Sequence, residues 1–352
     1  MQTAKKVGIY SPYLTTLGGG ERYIAGVAKV FGEQGFQVDW WWPDATILND
    51  ISSRFGLSLT NSSVNPQSFH IQTQGNWWDK LRLHQQYHSL FFVSDGSVPL
   101  LWSKKKYLHF QVPFLADKKP TLFNRLKTKN ISEVICNSRF TKTIIDASYS
   151  VTARVLYPPV TLIAAEKKRN LILSVGRFDS PMHPKRQDVL INAFLSLNLT
   201  DWELVLAGGC LDTTALEPLT LLANQSPQIS ILPNPSHAAL HKLYAQSKIY
   251  WHAAGFGASE SEPFKAEHFG IAIVEAMSAG AVPIAYKMGG PLEIIDQAHT
   301  GYLWETLEQL QKLTRDMTYH EDKARVLSAN AKKHARIFSE EAFGANLTAI
   351  IS

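Results

Sequence analysis

The chain has 352 residues, 45% of them hydrophobic and 18% charged, with 35 Lys and Arg against 30 Asp and Glu. That composition builds hydrophobic cores and excludes a disordered or collagen-like chain, and the length suits about two domains. Two cysteines, Cys136 and Cys210, exclude a disulfide framework and fit a reducing compartment. No apolar run approaches the ~18 residues of a membrane-spanning helix. The net charge of +5 favours anionic partners such as phosphates, acidic membranes or nucleic acid, and does not choose among them.

After Lys5 and Lys6, the apolar stretch Val7 to Tyr10 is too short for a secretory signal and reads as a first strand, so a cytoplasmic location is expected. Without such a signal, Asn61-Ser-Ser and Asn130-Ile-Ser read as chance matches to the glycosylation pattern. Lys6–Ser11 is a buried strand, and Gly18-Gly19-Gly20 leads into a helix over Glu21–Gln34 with Ile24, Val27, Ala28 and Phe31 on one side. Strands follow at Gln37–Trp42, Leu90–Ser94, Tyr107–Gln111, Glu133–Cys136 and Arg154–Tyr157. Pro158-Pro159 continues neither strand nor helix and marks an interdomain hinge.

The pattern then restarts. Strands are expected at Leu171–Val175, Trp202–Ala207, Gln228–Leu232, Ile249–His252 and Ala281–Tyr286, with helices at Gln187–Leu197, His237–Ser247 and Gly270 to Ala279. Gly280 closes the last of these helices, and Gly289-Gly290-Pro291 opens another. From Thr306 the chain reads as helical to its end. Strand–helix alternation of this kind predicts an α/β protein of two Rossmann-like domains with parallel sheets, facing across a cleft.

Chemistry concentrates in four segments. In Glu267-His-Phe-Gly-Ile-Ala-Ile-Val-Glu275, Gly270 sits where a loop enters a helix, and the unpaired amides of that first turn suit an anion. Glu267 precedes the helix and Glu275 lies about one and a half turns into it; paired sugar hydroxyls suit such carboxylate acceptors. In Val175-Gly-Arg177 and Lys185-Arg186, a guanidinium and an ammonium after a strand can stabilise a leaving diphosphate without a metal. The connection Phe178–Pro184 between them is long. Gly18, Gly19 and Gly20 allow close backbone approach to a ligand, though a tight turn alone needs glycine. His109 ends a first-domain strand, where it either points into the cleft or sits in the core.

The Glu267–Glu275 string resembles the E-x7-E motif of the retaining family 4 glycosyltransferases, which have the GT-B fold. The resemblance extends over nearly the whole chain. It implies that Glu267 contacts the transferred sugar and Glu275 the ribose, with backbone groups around Phe269, Gly270 and Ile271 on the sugar and diphosphate. It further implies that Arg177 and Lys185 clamp the diphosphate, that Gly18–Gly20 faces the donor, and that His109 lies near the reacting sugar. The catalytic set is then His109, Arg177, Lys185 and Glu267. The implied domains are residues 1–158 for the acceptor, 159–336 for the nucleotide sugar, and a C-terminal helix, 337–352, that crosses back to the first. The implied activity is transfer of a hexose from a nucleotide diphosphate sugar, GDP-mannose or a UDP-sugar, to a glycan or lipid-linked acceptor, with no cofactor and no metal. A front-face displacement would retain configuration.

Other readings carry less. A dinucleotide-dependent oxidoreductase needs G-x-G-x-x-G, which is absent. A non-catalytic sugar-nucleotide or carbohydrate-binding protein of the same fold needs a decayed site, whereas Glu267, Glu275, Arg177 and Lys185 are all present. Nucleic-acid binding lacks any basic–aromatic interleaving. His84/His88 and His237/His241 have metal-ligand spacing but no completing ligand, and read as solvated helix faces; no Asp-x-Asp occurs. Asp117–Asn130 sets Lys118, Lys119, Arg125, Lys127 and Lys129 around Leu122, Phe123 and Leu126, a pattern that suits either a solvated helix or an anionic inner-membrane surface.

Overall fold

A computed structural model describes residues 4–16, 18–115, 122–179, 183–259 and 261–352. The chain forms two units, Met1–Pro159 with Glu340–Ser352, and Val160–Ser339. In chain order the first contains β1 (Lys6–Tyr10), α1 (Gly19–Glu33), β2 (Gln37–Trp41), α2 (Ile47–Phe55), β3 (Ser62–Val64), α3 (Pro66–Gln74), α4 (Trp77–Gln85), β4 (Ser89–Val93), β5 (Lys105–Phe110), α5 (Leu122–Asn130), β6 (Glu133–Cys136), α6 (Arg139–Tyr149) and β7 (Arg154–Val155). The second contains β8 (Arg169–Val175), α7 (Gln187–Leu197), β9 (Glu203–Gly208), α8 (Glu217–Ala223), β10 (Ile229–Pro233), α9 (His237–Gln246), β11 (Ser247–His252), α10 (Ile271–Ser278), β12 (Val282–Tyr286), α11 (Pro291–Ile294), β13 (Tyr302–Trp304), α12 (Leu307–Tyr319) and α13 (Glu321–Ala335). The last helix, α14 (Glu340–Ile351), returns to the first unit.

Both sheets are parallel, and a central strand such as β4, buried at every residue, carries the near-continuous apolar run 90–93 typical of a sheet covered on both faces. Side-chain alternation splits the first core in two. Trp40 packs with Val7, Ile24 and Phe31 on one face, while Trp41 packs with Leu83, Phe92 and Phe110 on the other. Strand order is β3-β2-β1-β4-β5-β6-β7 in the first sheet and β10-β9-β8-β11-β12-β13 in the second. Each order reverses beside its first strand, between β1 and β4 and between β8 and β11. Ligands of open α/β sheets bind outside the carboxyl ends of the strands at that reversal.

The structure departs from the sequence reading at several points. The C-terminal stretch is not continuously helical: His320 takes φ −115°, ψ 77° between α12 and α13, and a 3₁₀ turn at Arg336–Phe338 precedes α14. Helices α2 to α4 and α8 and strands β3 and β13 are additional. His84 and His88 do not share a helix face, since α4 ends at Gln85. His84 is buried, stacks on Trp41 at 5.7 Å and hydrogen-bonds Gln72 at 2.9 Å. Burial pushes its pKa down to about 4. His237 and His241 do share α9, with rings 3.9 Å apart. Both cysteines are free and buried.

The chain leaves the first unit after Pro159, where Val160 pairs with Ser339 and its amide donates to the Phe338 carbonyl at 3.0 Å. In the first unit α14 lies on α1: Phe343 meets Tyr23 edge-on at 5.3 Å, Leu347 is buried in the same cluster, and Glu340 lies 3.5 Å from Arg22. The C-terminal helix thus completes the hydrophobic face of a sheet whose first strand lies more than 300 residues earlier. Phe343→Ala is expected to cost this unit about 3–5 kcal/mol, the range for emptying a buried phenylalanine site. Urea unfolding followed by tryptophan fluorescence measures it, and a loss below about 1 kcal/mol would show that α14 is an accessory.

Candidate active site

In the second unit β8 runs out into Gly176 and Arg177. A Cβ on Gly176 would lie 2.7 Å from Lys185 Cγ, so glycine gives the lysine stem its place over the turn. The Gln187 side-chain amide donates to the Arg177 carbonyl at 3.1 Å, and the exposed Arg177 side chain passes beside Gly209. Of the two cations before α7, only one turns towards the acidic segment. Arg186 takes a left-handed φ of 52° and is tied back by two 3.1 Å contacts to Asp188 and one of 2.6 Å to the Phe256 carbonyl. Lys185 instead places Nζ 2.6 Å from Glu267 Oε2. Residues 180–182 of the long connection lie outside the described residues.

Glu267 is fixed from its backbone outward. It bridges to Gly289, and the Gly290 amide donates to its carbonyl at 2.7 Å. A Cβ on Gly289 would lie 2.3 Å from that carbonyl oxygen, and one on Gly290 2.0 Å from the Phe269 carbonyl oxygen. The Gly-Gly pair, read in sequence only as a helix opening, is what lets the 267–269 backbone lie this close. Lys185 Nζ and His252 Nε2 then both reach Glu267 Oε2, at 2.6 and 2.9 Å. Burial opposes ionisation of this carboxyl, but Lys185 and His252 outweigh it and hold its pKa well below the usual range.

Aromatic and imidazole rings surround the carboxylate. Tyr250 is buried on β11, and its hydroxyl donates to the Val175 carbonyl at 3.2 Å. Burial raises its pKa, reinforced by the negative charges of Glu267 and Glu275. His268 Nε2 donates to the Phe264 carbonyl at 3.2 Å, and its ring meets that of His183 edge-on at 4.6 Å. Burial, then the neighbouring His183, push the His268 pKa down to about 3, so this ring is neutral at physiological pH.

Gly270 turns the loop into α10 with φ 119°, where a Cβ would meet Ile273 Cδ1 at 2.9 Å. No side chain caps α10, and its first two amides, those of Ile271 and Ala272, stand at the positive end of the helix dipole. Ile271 and Glu275, four residues apart, share the half-buried side, while Ile273, Val274, Ala276 and Met277 face the core. Phe269 is buried against Phe338.

The first-unit residues stand differently. Gly18 precedes α1, and its amide donates to Glu21 Oε2 at 2.9 Å; Gly19 is the first helical residue. A Cβ on Gly20 would lie 2.2 Å from Gln111 Oε1, so that glycine makes room for a side chain of its own unit. His109 corrects the expectation that it points out of its domain. It is fully buried, stacks on Tyr23 at 4.0 Å and lies 5.8 Å from Phe91, and its burial pushes its pKa down to about 3. Among the described residues neither ring nitrogen has a hydrogen-bond partner of good geometry, and the Ile135 backbone only partly offsets the effect of burial. The core reading describes it.

Of the expected residues, the structure brings Lys185 and Glu267 into direct contact and sets Glu275 around the same tyrosine. It adds His252 and Tyr250, which the sequence reading passed over. Their signal was positional: His252 is the last residue of the strand beside the sheet reversal.

Residues 163–334 match the family described as glycosyl transferases group 1. The chain is 25% identical to GDP-Man:Man(3)GlcNAc(2)-PP-Dol alpha-1,2-mannosyltransferase of Dictyostelium discoideum, across 54% of this chain and 40% of that protein. It is 23% identical to Alpha-1,3/1,6-mannosyltransferase ALG2 of Rhizomucor pusillus, across 95% of this chain and 89% of that one. It therefore spans well under two thirds of the first relative and most of the second. Its fold is similar to that of Anabaena Alr3699/HepE in complex with UDP and glucose, with a TM-score of 0.74, 16% identity and 99% of each chain covered. Residues 163–334 therefore form a domain of the glycosyl transferases group 1 family, and the two parallel-sheet units have the GT-B fold.

Proposed function

We propose that this protein is a retaining glycosyltransferase that moves a hexose from a nucleotide diphosphate sugar to a glycan or lipid-linked acceptor without a metal ion. The observation that carries the reading is the ionised Glu267 carboxylate, held by Lys185 and His252 just before an uncapped helix. A carboxylate accepts hydrogen bonds from sugar hydroxyls, and the amides of Ile271 and Ala272 suit the diphosphate beside it. Lys185 has three N–H donors and needs one for Glu267, which leaves two for phosphate oxygens. Arg177, at the end of β8, adds a guanidinium fork, and Glu275 binds the ribose.

In the reaction the bond from the sugar's anomeric carbon to the diphosphate oxygen breaks as the acceptor oxygen bonds to the same face. The acceptor's proton passes to the departing phosphate oxygen. Arg177 and Lys185 balance the charge that gathers there.

Both curated relatives are named as mannosyltransferases, the first with GDP-Man and a dolichol-linked glycan, and this supports GDP-mannose as the first donor to try. The similar fold that holds UDP and glucose supports UDP-sugars as the second. No described helix is long and apolar enough to cross a membrane. Peripheral attachment to an anionic inner leaflet is supported by α5, where Leu126 is 58% exposed next to Arg125 and one turn from Lys129. The rest of that basic stretch, 117–121, lies outside the described residues.

Initial rates of sugar release and transfer from a panel of nucleotide sugars test the reading. Glu267→Ala should lower kcat on the order of 30- to 1000-fold, equivalent to ~2–4 kcal/mol of lost transition-state stabilisation, and EDTA should leave the wild-type rate unchanged. Wild-type turnover by Glu267→Ala, or no turnover of any nucleotide sugar by the native protein, contradicts it.

Stability carries a separate sign. A carboxylate with a lowered folded pKa stabilises the fold above its unfolded value, and that contribution is lost as pH falls through the folded pKa. Lys185→Ala should therefore be less stable than wild type by about 1–3 kcal/mol at pH 7. The gap should be full above the ordinary glutamate value of 4.5 and close as the medium is made more acid. Urea unfolding across that range measures it; a gap that does not change with pH contradicts the ion pair.

A further inference from the structure

The Glu267 carboxylate has two oxygens, and the protein uses one of them twice. Lys185 Nζ and His252 Nε2 both contact Oε2, while Oε1 takes no hydrogen bond from the described residues. A carboxylate only accepts, so the His252 proton facing it sits on Nε2. The other ring nitrogen, Nδ1, is buried and has no partner among the described residues.

The two donors differ in stiffness. Lys185 extends from the segment before α7 on four rotatable methylenes. His252 is the last residue of β11, 4% exposed, and its backbone is in register with Ala285 of β12. Its ring is set by two torsions and by the sheet. A carboxylate gripped by a mobile ammonium alone can rotate, whereas one also gripped from a buried strand has its plane defined.

We propose that His252 is the positioning residue of the sugar-recognising carboxylate: its Nε2–H holds Oε2 and turns Oε1 towards a hydroxyl of the bound hexose. This rests on the function proposed above. The charged and titratable groups that share this environment are Lys185 and His183 before α7, Arg177 after β8, Tyr250 and His252 on β11, His268 on Glu267's own loop and Glu275 on α10. Among the described residues, only Lys185 and His252 hydrogen-bond the carboxylate.

The test compares wild type, His252→Ala and His252→Gln, the last keeping an N–H donor of similar reach. GDP binding by calorimetry should stay within about twofold in both variants, which also shows that they fold. With GDP-mannose, or the panel sugar that the wild type turns over best, His252→Ala should lose about 10- to 100-fold in kcat, the scale for a slightly misplaced catalytic group. KM should change little, the acid limb of the pH–rate profile should move to higher pH as Glu267 loses a donor, and His252→Gln should recover most of the rate. Unchanged kcat and acid limb in His252→Ala would overturn the proposal.

A second readout does not depend on activity. In protein labelled with ¹³C at glutamate carboxyls, the Glu267 titration midpoint should rise in His252→Ala and return towards wild type in His252→Gln. If the wild type turns over no nucleotide sugar, the functional reading fails on its own account. The coupling of His252 to Glu267 then stands or falls on this titration, and an unmoved midpoint overturns it.

Discussion

Two donors from opposite sides of a sheet reversal meet on one oxygen of Glu267, and most of the second unit's local structure serves that meeting. Lys185 comes from the segment after β8, and His252 ends β11, the neighbouring strand. For the lysine to arrive, Gly176 must lack a side chain; for the glutamate backbone to lie where both donors reach it, Gly289 and Gly290 must lack theirs. Arg186, the adjacent cation, is held away by Asp188 and the Phe256 carbonyl. An ionised carboxylate is costly to bury unless paired, and here each of these details contributes to the pairing.

The sheet order explains why the meeting occurs at this place. In both units the strands run outward from the first strand in one direction and then reverse, which leaves a gap between helices at the carboxyl edge. In the second unit that gap receives Gly176-Arg177, His252 and the loop to α10. The first unit has the same order and puts the Gly18–Gly20 turn at the equivalent position after β1, but there the polar contacts are internal: Glu21 takes the Gly18 amide and Gln111 fills the space beside Gly20. The two units share an architecture, and the described side chains give only the second a charged cluster of this kind.

Much of the fold was legible because its signals are local. Apolar runs of strand length, amphipathic helices and Gly or Pro at their ends placed most strands and the helices α1, α7, α9 and α10 within about two residues, but not the nine-residue helices α2 to α4. The short strands Ser62–Val64 and Tyr302–Trp304 were not legible, since three residues carry no period. The C-terminal stretch read as one helix because its breaks, at His320 and Arg336–Phe338, fall on residues with ordinary helix propensity and are set by packing. The candidate site could be picked out in the sequence where it is linear, in Glu267, Gly270 and Glu275. It was not legible where it is assembled: Lys185 and Glu267 are 82 residues apart, His252 and Glu267 are 15 apart across an irregular loop, and neither spacing has a repeat to reveal it. His109 shows the converse. Its place near the end of a strand was right, but burial against Tyr23 depends on a helix residue 86 positions earlier and cannot be read from the strand.

In the proposed function Glu267 recognises the sugar of a nucleotide sugar and takes no part in holding the nucleotide. Calorimetric titration of wild type and Glu267→Gln with both GDP and GDP-mannose, and with the UDP pair in parallel, tests it most directly. The substitution is expected to weaken binding of the nucleotide sugar and to leave the affinity for the nucleotide diphosphate unchanged. Equal effects on both ligands, or none on either, would contradict it.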